Sequence, residues 1–546
     1  MFRSSVVMFG IFVAFVTCTS ARADISISRQ PTQNMSCSAG VCTPTAPKAV
    51  LNVHDLTNML GSGDLTVQSG NGNGTAAGID ILDSFSWTNT SRLVLSAKHN
   101  IVVRAPVTVA GTGALTITYG NGNPDSDLLF QKKGKIDFWD TSSSLKVNGK
   151  SYTLVGDIAT LANDITANPT ANYGLANDLD ESGNTCKRTP ISTPVAGALT
   201  GLGHVIANFS INVGKNSGAF IYEIGTGASL RDISFQNLNI IRAGRGLNPG
   251  ALVQDNRGTI ANISITGQLW GDYYAGGIAE TNESTGIIDA VNVSATISGA
   301  GYVGGIAGEN DGVISNSSAS GSVQGGLPTA CRTPYTGGLA GVNGGSIVTS
   351  RASNLVNGGH GEYKEEGCEI FAKAGGAVGY NGCLIDQAFA TGNVIAGDMS
   401  YVGGLAGYTS STGKVSNSYS LGAAGTTTFE TRAGGFTGNN TGLIATSYAI
   451  GAPTGGDPDN DCRAGGFIGC DGAAAGSLTF TYWDLDTSGI SDPSRGAGDP
   501  ANDPGIAGLT DAQLKTGFPE GFDPKIWGQS PSINNGYPYL LANPPK

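Results

Sequence analysis

"SYVGGLAGYTS", from Ser400 to Ser410, sets two adjacent glycines before one leucine and follows them with a third glycine. The same word returns as "YVGGIAGEN" at Tyr302, "YTGGLAGVN" at Tyr335, "RAGGFTGNN" at Arg432 and "RAGGFIGCD" at Arg463. With the first glycine of each "GG" or "GA" unit as a marker, copies stand at Gly218, Gly250, Gly276, Gly304, Gly337, Gly375, Gly403, Gly434 and Gly465, at intervals of 26 to 38 residues. Such a recurrence predicts a solenoid, in which each repeat buries its apolar face only by stacking on its neighbours.

Each marker is followed by a second segment, such as "GTIANISITG" from Gly258, "GVISNSSASG" from Gly312 and "GKVSNSYSLG" from Gly413. Counted from its first aliphatic residue (Ile260, Ile314 and Val415 here), apolar or small residues fall at positions three and five. A flat strand would place positions two and four on the face of position zero, so the odd step requires a bend. Position two holds Asp232, Asn262, Asn316, Gln387, Asn417 and Thr446, residues suited to turns. The expected fold is all-β: a parallel β-helix of about nine repeats, its coils about 4.8 Å apart, with a column of amides at position two. Positions three and five shrink from Ile263 and Ile265 to Ser418 and Ser420, so that wall of the core is expected to thin toward the carboxyl end.

The glycine pairs Gly276 and Gly277, Gly304 and Gly305, Gly337 and Gly338, Gly375 and Gly376, Gly403 and Gly404, Gly434 and Gly435, and Gly465 and Gly466 are expected to be structural. A bend of small radius needs a positive φ or the absence of a Cβ. A phosphate-cradling loop is excluded, because "GGLAG" lacks both the G-x-G-x-x-G spacing and a following Lys-Ser/Thr.

Composition agrees. Glycine supplies 84 of 546 residues and only 13% are charged, while 39% are hydrophobic, enough for a core. The amino terminus reads as an export signal: Arg3, then "VVMFGIFVAFV", then "ARA" ending at Ala23. Its apolar run is shorter than the roughly 20 residues that span a bilayer, and no later stretch reaches that length. Removing it takes away Arg3 and Arg22, moving the formal charge from −12 to −14. So acidic a chain repels phosphate backbones, which argues against a nucleic-acid partner.

Eight cysteines remain beyond the signal. An exported chain oxidises them. Cys37 and Cys42 are close in sequence, as are Cys462 and Cys470, and Cys331 and Cys368 flank one repeat, so these six are candidates for loop disulfides; Cys186 and Cys383 remain. No C-x-x-C pair suggests zinc. Chemistry is sparsely signalled. "GGHGEYKEEG" from Gly358 places His360 near Glu362 and faintly echoes the polygalacturonase family, whose paired aspartates and "RIK" are absent. "DPDNDC" spaces Asp457, Asp459 and Asp461 like the start of a calcium loop, but Cys462 stands where the loop glycine belongs. No catalytic residue and no cofactor is assigned, calcium at these aspartates being the one weak candidate.

The unit "GG-Leu-Ala-G … N-x-G-x-I-x-N-S" resembles the GLUG motif of large bacterial surface and secreted proteins, over about Ser217 to Gly489. "TYWDLDTSG" from Thr481, "WGQ" at Trp527 and "YPYLL" at Tyr537 look like the usual end of such arrays. "LVLSAKHNIVVRAPVTVAGTGALTITYG" from Leu93 and "GKIDFWDTSSSLKVNGKSYTLV" from Gly134 resemble strands of filamentous-haemagglutinin-like exoproteins, without that family's long secretion domain. "DIATLANDITANP" from Asp157 is the one helix expected, near 157–168, with Ile158, Leu161 and Ile165 on one face and Pro169 ending it.

The expected organisation is a signal peptide over 1–23, a filamentous-haemagglutinin-like β-rich segment over 24–156, a helix-containing connector and first coil over 157–216, the repeats over 217–489 and a cap over 490–546. The resemblance implies an exported, non-catalytic adhesin or interaction scaffold, extracellular or on the cell surface, with the periplasm as the other exported compartment. Its partner would be a host or neighbouring-cell surface protein or glycan. The competing expectation is a β-helix enzyme that cleaves polysaccharide.

Overall fold

The structure, a computed structural model, describes residues 24–70, 76–120, 126–212, 218–241, 250–326, 332–364, 368–425, 430–455 and 464–545. The export segment, Cys331, Cys462 and the aspartates of "DPDNDC" lie outside the described residues. The described chain is a β-solenoid of about 15 turns with three α-helices. No described helix is long and apolar enough to cross a membrane.

The chain divides into two compact bodies. The first carries a five-stranded parallel sheet in the order Leu128–Phe130, Ile101–Val103, Gly78–Ile81, Asp24–Ser28, Val50–Asn52. A second parallel run joins Val41–Pro44, Leu65–Gln68, Arg92–Ser96 and Ala114–Thr118. Met35–Ser38 pairs antiparallel with Val41–Pro44, and the directly opposed Cys37 and Cys42 form a disulfide. Helix α1 (Val53–Ser62) is capped by Asn52, whose side chain accepts from the His54 and Asp55 amides, and buries Leu56 and Leu60. It corrects the expectation of a single helix.

The second body holds α2 (Ile158–Ala167), which buries Ile158, Leu161 and Ile165, and then the repeat array. One coil shows the plan. Tyr302–Gly304 leads into the glycine pair, Ala307–Asn310 follows it, Val313–Ser315 carries position zero, and Ser318–Gly325 completes the turn. Like residues stack in register. Gly276, Gly304, Gly337, Gly375, Gly403 and Gly434 form one column, and Leu230, Ile260, Ile288, Ile314, Ile347, Ile385, Val415 and Ile444 another.

Position two bends as expected. Asp232, Asn262, Asn316, Gln387, Asn417 and Thr446 have φ between 45° and 60°, the left-handed region that Asn and Asp tolerate best. Their side chains do not form one amide column, however. Asn262 donates to Asp232 Oδ1 at 3.1 Å, Asn316 to Asp289 Oδ1 at 2.8 Å and Asn417 to Asp386 Oδ1 at 2.9 Å. The continuous amide ladder lies inside the core. Asn256, Asn282, Asn310, Asn343 and Asn381 are fully buried, and each Nδ2 donates to the next Oδ1 at 2.7, 2.7, 2.8 and 2.9 Å. The Nδ2 atoms of Asn256, Asn282, Asn310 and Asn343 also reach a main-chain carbonyl of the following coil, so both of their donors are satisfied without water.

The repeat glycines do not adopt positive φ; close approach requires them. A Cβ on Gly404 would lie 2.1 Å from the Gly435 carbonyl oxygen and 3.0 Å from Ser420. Ser420 is position five of the same coil, so glycine faces serine across a thin core. The thinning wall is offset from two sides. Phe436 and Phe467, which follow the glycine pairs, stack inside at 4.5 Å. Outside, Phe389, Tyr419, Tyr448 and Tyr482 at position four pack under the carboxyl-terminal segment through Leu514, Phe522, Trp527, Tyr537 and Leu540. The solenoid itself continues to Ala497–Asp499 and Ile506–Leu509 before α3 (Asp511–Lys515) begins that covering segment.

Candidate functional site

Two residues before each marker glycine, one side chain per coil faces outward. This column reads Tyr274, Tyr302, Tyr335, Lys373, Tyr401, Arg432. Strand pairing fixes it, because residues in register in a parallel stack sit one above another. Ring centroids of Tyr274 and Tyr302 are 5.0 Å apart and those of Tyr302 and Tyr335 5.1 Å, both edge to face. A neighbouring column, five residues after the marker, runs Asp255, Thr281, Glu309, Val342, Tyr380, Tyr408. It changes from acidic to aromatic along the array.

The two columns meet around Lys373. Its ammonium lies 4.8 Å from the Tyr335 ring centroid, 5.2 Å from Tyr408, 5.8 Å from Tyr380 and 5.9 Å from Tyr401. Burial pushes Lys373 down to about 8. The Tyr335 and Tyr401 phenols are raised, chiefly by burial, which keeps them neutral and their ring faces available to a cation. Arg432 lies 4.9 Å over Tyr401 and 6.0 Å over Phe371, and Arg332 lies 4.9 Å over Tyr273. Among the described residues none of these three cations makes an ion pair with a carboxylate. Arg332, Thr333 and Tyr273, Tyr274, Tyr302 and Tyr335 line a shallow cleft of about 420 Å³.

The end that carries this cleft, opposite Lys373 and Arg432, is also acidic, since Glu280, Glu309 and Arg332 all act on Tyr274. Glu280 stands four residues after Gly276, where the next coil has Gly308. Burial, with Asp255 and Glu309 nearby, raises its carboxyl to about 8, and its Oε2 has no hydrogen-bond partner among the described residues. Asp255 and Glu309 are also raised, burial being the first cause in each.

The residues singled out from sequence lie elsewhere. His360 Nδ1 is engaged by the Gly361 carbonyl at 2.7 Å, and Glu362 begins a short antiparallel hairpin, Glu362–Lys364 with Cys368–Ile370. Among the described residues no group of three or more His, Cys, Asp or Glu could hold a metal. Cys37 and Cys42 are bonded to each other, Cys470 is disulfide-bonded, and Cys186 and Cys383 are free. The aromatic face escaped the sequence reading although its signal was present, as a Tyr, Lys or Arg two residues ahead of the glycine pair.

The family description of the GLUG motif matches residues 299–324, which correspond to one coil of this array. The chain is thus a repeat protein containing a GLUG motif. Halomucin of Haloquadratum walsbyi (strain DSM 16790 / HBSQ001) is 32% identical over 295 residues, 52% of this chain and 3% of halomucin, so the match spans a small part of that protein's length. Two solved structures named for immunoglobulin A1 protease also align. One, from Bacteroides ovatus, has 16% identity and a TM-score of 0.27 and covers 72% of this chain and 92% of that one. The other has 15% identity and a TM-score of 0.28 and covers 53% and 21%. Likeness of that degree carries no functional meaning.

Proposed function

We propose that this protein is an exported, surface-exposed interaction scaffold, a non-catalytic adhesin of filamentous-haemagglutinin type that presents its aromatic and cationic face to a partner on a neighbouring cell. The observation that carries this reading is the unbroken outward column from Tyr274 to Arg432, with Lys373 enclosed by four tyrosines. Half-buried aromatics on a rigid stack offer contact area at low entropic cost. The likeness to halomucin, a protein named as a mucin, and the export-type residues 1–23 support a location outside the cytoplasm. Brief proteolysis of intact producing cells tests it: the chain should be cleaved while cytoplasmic proteins survive. Full protection in intact cells, with cleavage only after lysis, contradicts the reading.

The acidic end favours a second reading, a polysaccharide-cleaving enzyme. Glu280, held protonated near neutral pH beside Asp255 and Glu309, has the character of a general acid. Release of reducing ends from polysaccharide by the wild type, abolished in Glu280→Gln, would establish it. Absence of release leaves the scaffold reading in place.

A further inference from the structure

The geometry points to a carboxylate-bearing polysaccharide, a uronate-type chain, as the ligand of the face formed by Arg332, Tyr335, Phe371, Lys373, Tyr401 and Arg432. This deepens the scaffold reading and rests on it.

Charge comes first. The chain carries a formal charge of −12, yet three cations stand on one face with rings, and among the described residues no ion-paired carboxylate, as their direct contacts, although Glu280, Glu309 and Glu369 are close enough to act on the same rings. Three other basic residues of the array and its flanks are paired with carboxylates, Arg231 with Asp232 at 2.8 Å, Arg257 with Glu283 at 3.1 Å, and Lys515 with Asp511 at 2.8 Å, while Arg351 and Arg495 donate to Asn543 and to the Ala464 carbonyl. An anion laid on the face would restore to Lys373 the interaction it lost on leaving water, consistent with its depressed proton affinity. Spacing comes second. Lys373 and Arg432 are separated by the coil of Tyr401, which places them about 10 Å apart along the axis. An extended pyranose chain advances by close to one coil per sugar, so alternate uronates meet Lys373 and Arg432, the cations on either side of Tyr401. A peptide added as a further strand would use the sheet edge for its main-chain hydrogen bonds. That edge is closed here, since the strands Ala372–Gly375 and Ser400–Gly403 are paired with a coil on either side.

The test uses the full exported chain and three immobilised polymers: polygalacturonate, its methyl ester and poly-L-glutamate. Polygalacturonate should bind, the ester at least about tenfold more weakly, and poly-L-glutamate likewise. Arg332→Gln/Arg432→Gln, both at ring-stacked surface positions, should weaken polygalacturonate binding at least about tenfold with an unchanged melting temperature. Lys373→Gln should do the same, and Lys373→Arg should restore part of the loss. Equal binding of the ester would overturn the assignment, as would equal binding of poly-L-glutamate, or unchanged affinity in the double variant. If polygalacturonate fails to bind while the chain remains accessible on intact cells, this ligand is wrong and the scaffold reading stands.

Discussion

Gly404 shows how one atom is excluded by the fold. Its missing Cβ leaves room for the Gly435 carbonyl oxygen of the next coil, at 2.1 Å from where that atom would be, and for Ser420 across the core. Neither neighbour is the free end of a flexible chain, so Gly404→Val must push two coils apart. We expect a loss of about 2–5 kcal/mol, read as a fall in apparent melting temperature, against a change within about 0.5 kcal/mol for the exposed Lys525→Ala. Equal melting temperatures would mean that the stack yields at no cost. At this scale much was legible. The bend at Asn316 and Asn417 follows from an odd step in a period-two pattern. The buried ladder from Asn256 to Asn381 is written as plainly, an asparagine six residues after the marker in "AGEN", "AGVN" and "VGYN". In sequence, Asn near Gly reads as a turn, and only the stacking of coils shows that the amide points inward to its own copies.

The elements divide between those that carry their own signal and those that borrow it. Helix α2 has three apolar residues on one face and a capping Asp157, whose side chain accepts from the Thr160 amide. α1 has only Leu56 and Leu60 to bury and ends in Gly61 and Gly63, so its periodicity is too short to stand out from the β pattern. The covering segment after α3 has almost no regular structure. Its place is set by tertiary contacts: Tyr448 donates to the Pro538 carbonyl at 2.6 Å, Tyr482 to that of Glu520 at 2.9 Å, and Arg351 to Asn543 Oδ1 at 3.0 Å. It therefore braces the coils whose inner wall has thinned. Trp527, fully buried against Phe522 at 4.4 Å and near Tyr419 and Tyr448, is the keystone. Trp527→Ala should cost about 3–5 kcal/mol locally. In a nearest-neighbour array that loss stays near its source, so amide exchange should accelerate around Tyr419 and Tyr448 and stay unchanged around Ile263. Acceleration spread evenly over both regions would show that the array unfolds as one unit.

Across the whole molecule, three groups with displaced proton affinities shape stability against pH: Asp178, Glu280 and Lys373. Asp178 is held well below the usual carboxylate range, first by its hydrogen bond with buried His204 at 2.9 Å and then by Lys135 at 2.8 Å. Its stabilisation is complete above about pH 4 and is lost as pH falls further. Glu280 acts in the opposite sense. Its folded value of about 8 exceeds the unfolded value, so the folded state binds more protons between about pH 4.5 and 8. Stability conferred by its neutral form is therefore present at pH 4.5 and lost as pH rises to 8. Lys373, lowered to about 8, reverses the trend: above pH 8 the unfolded chain holds the extra proton, and stability climbs toward pH 10. Each limb amounts to a few kcal/mol at most, at about 1.4 kcal/mol per tenfold change in proton affinity. The expected curve of melting temperature against pH has a maximum near pH 5, a minimum near pH 8 and a renewed rise. Glu280→Gln should reduce the falling limb, leaving the smaller fall that Asp255, Glu309 and Asp471 contribute, and Lys373→Gln should reduce the rising limb. A wild-type curve that is flat from pH 5 to 8 would mean that Glu280 and its acidic neighbours are hydrated in the folded protein. Either variant changing both limbs would mean that the acidic and cationic ends of the face titrate as one network.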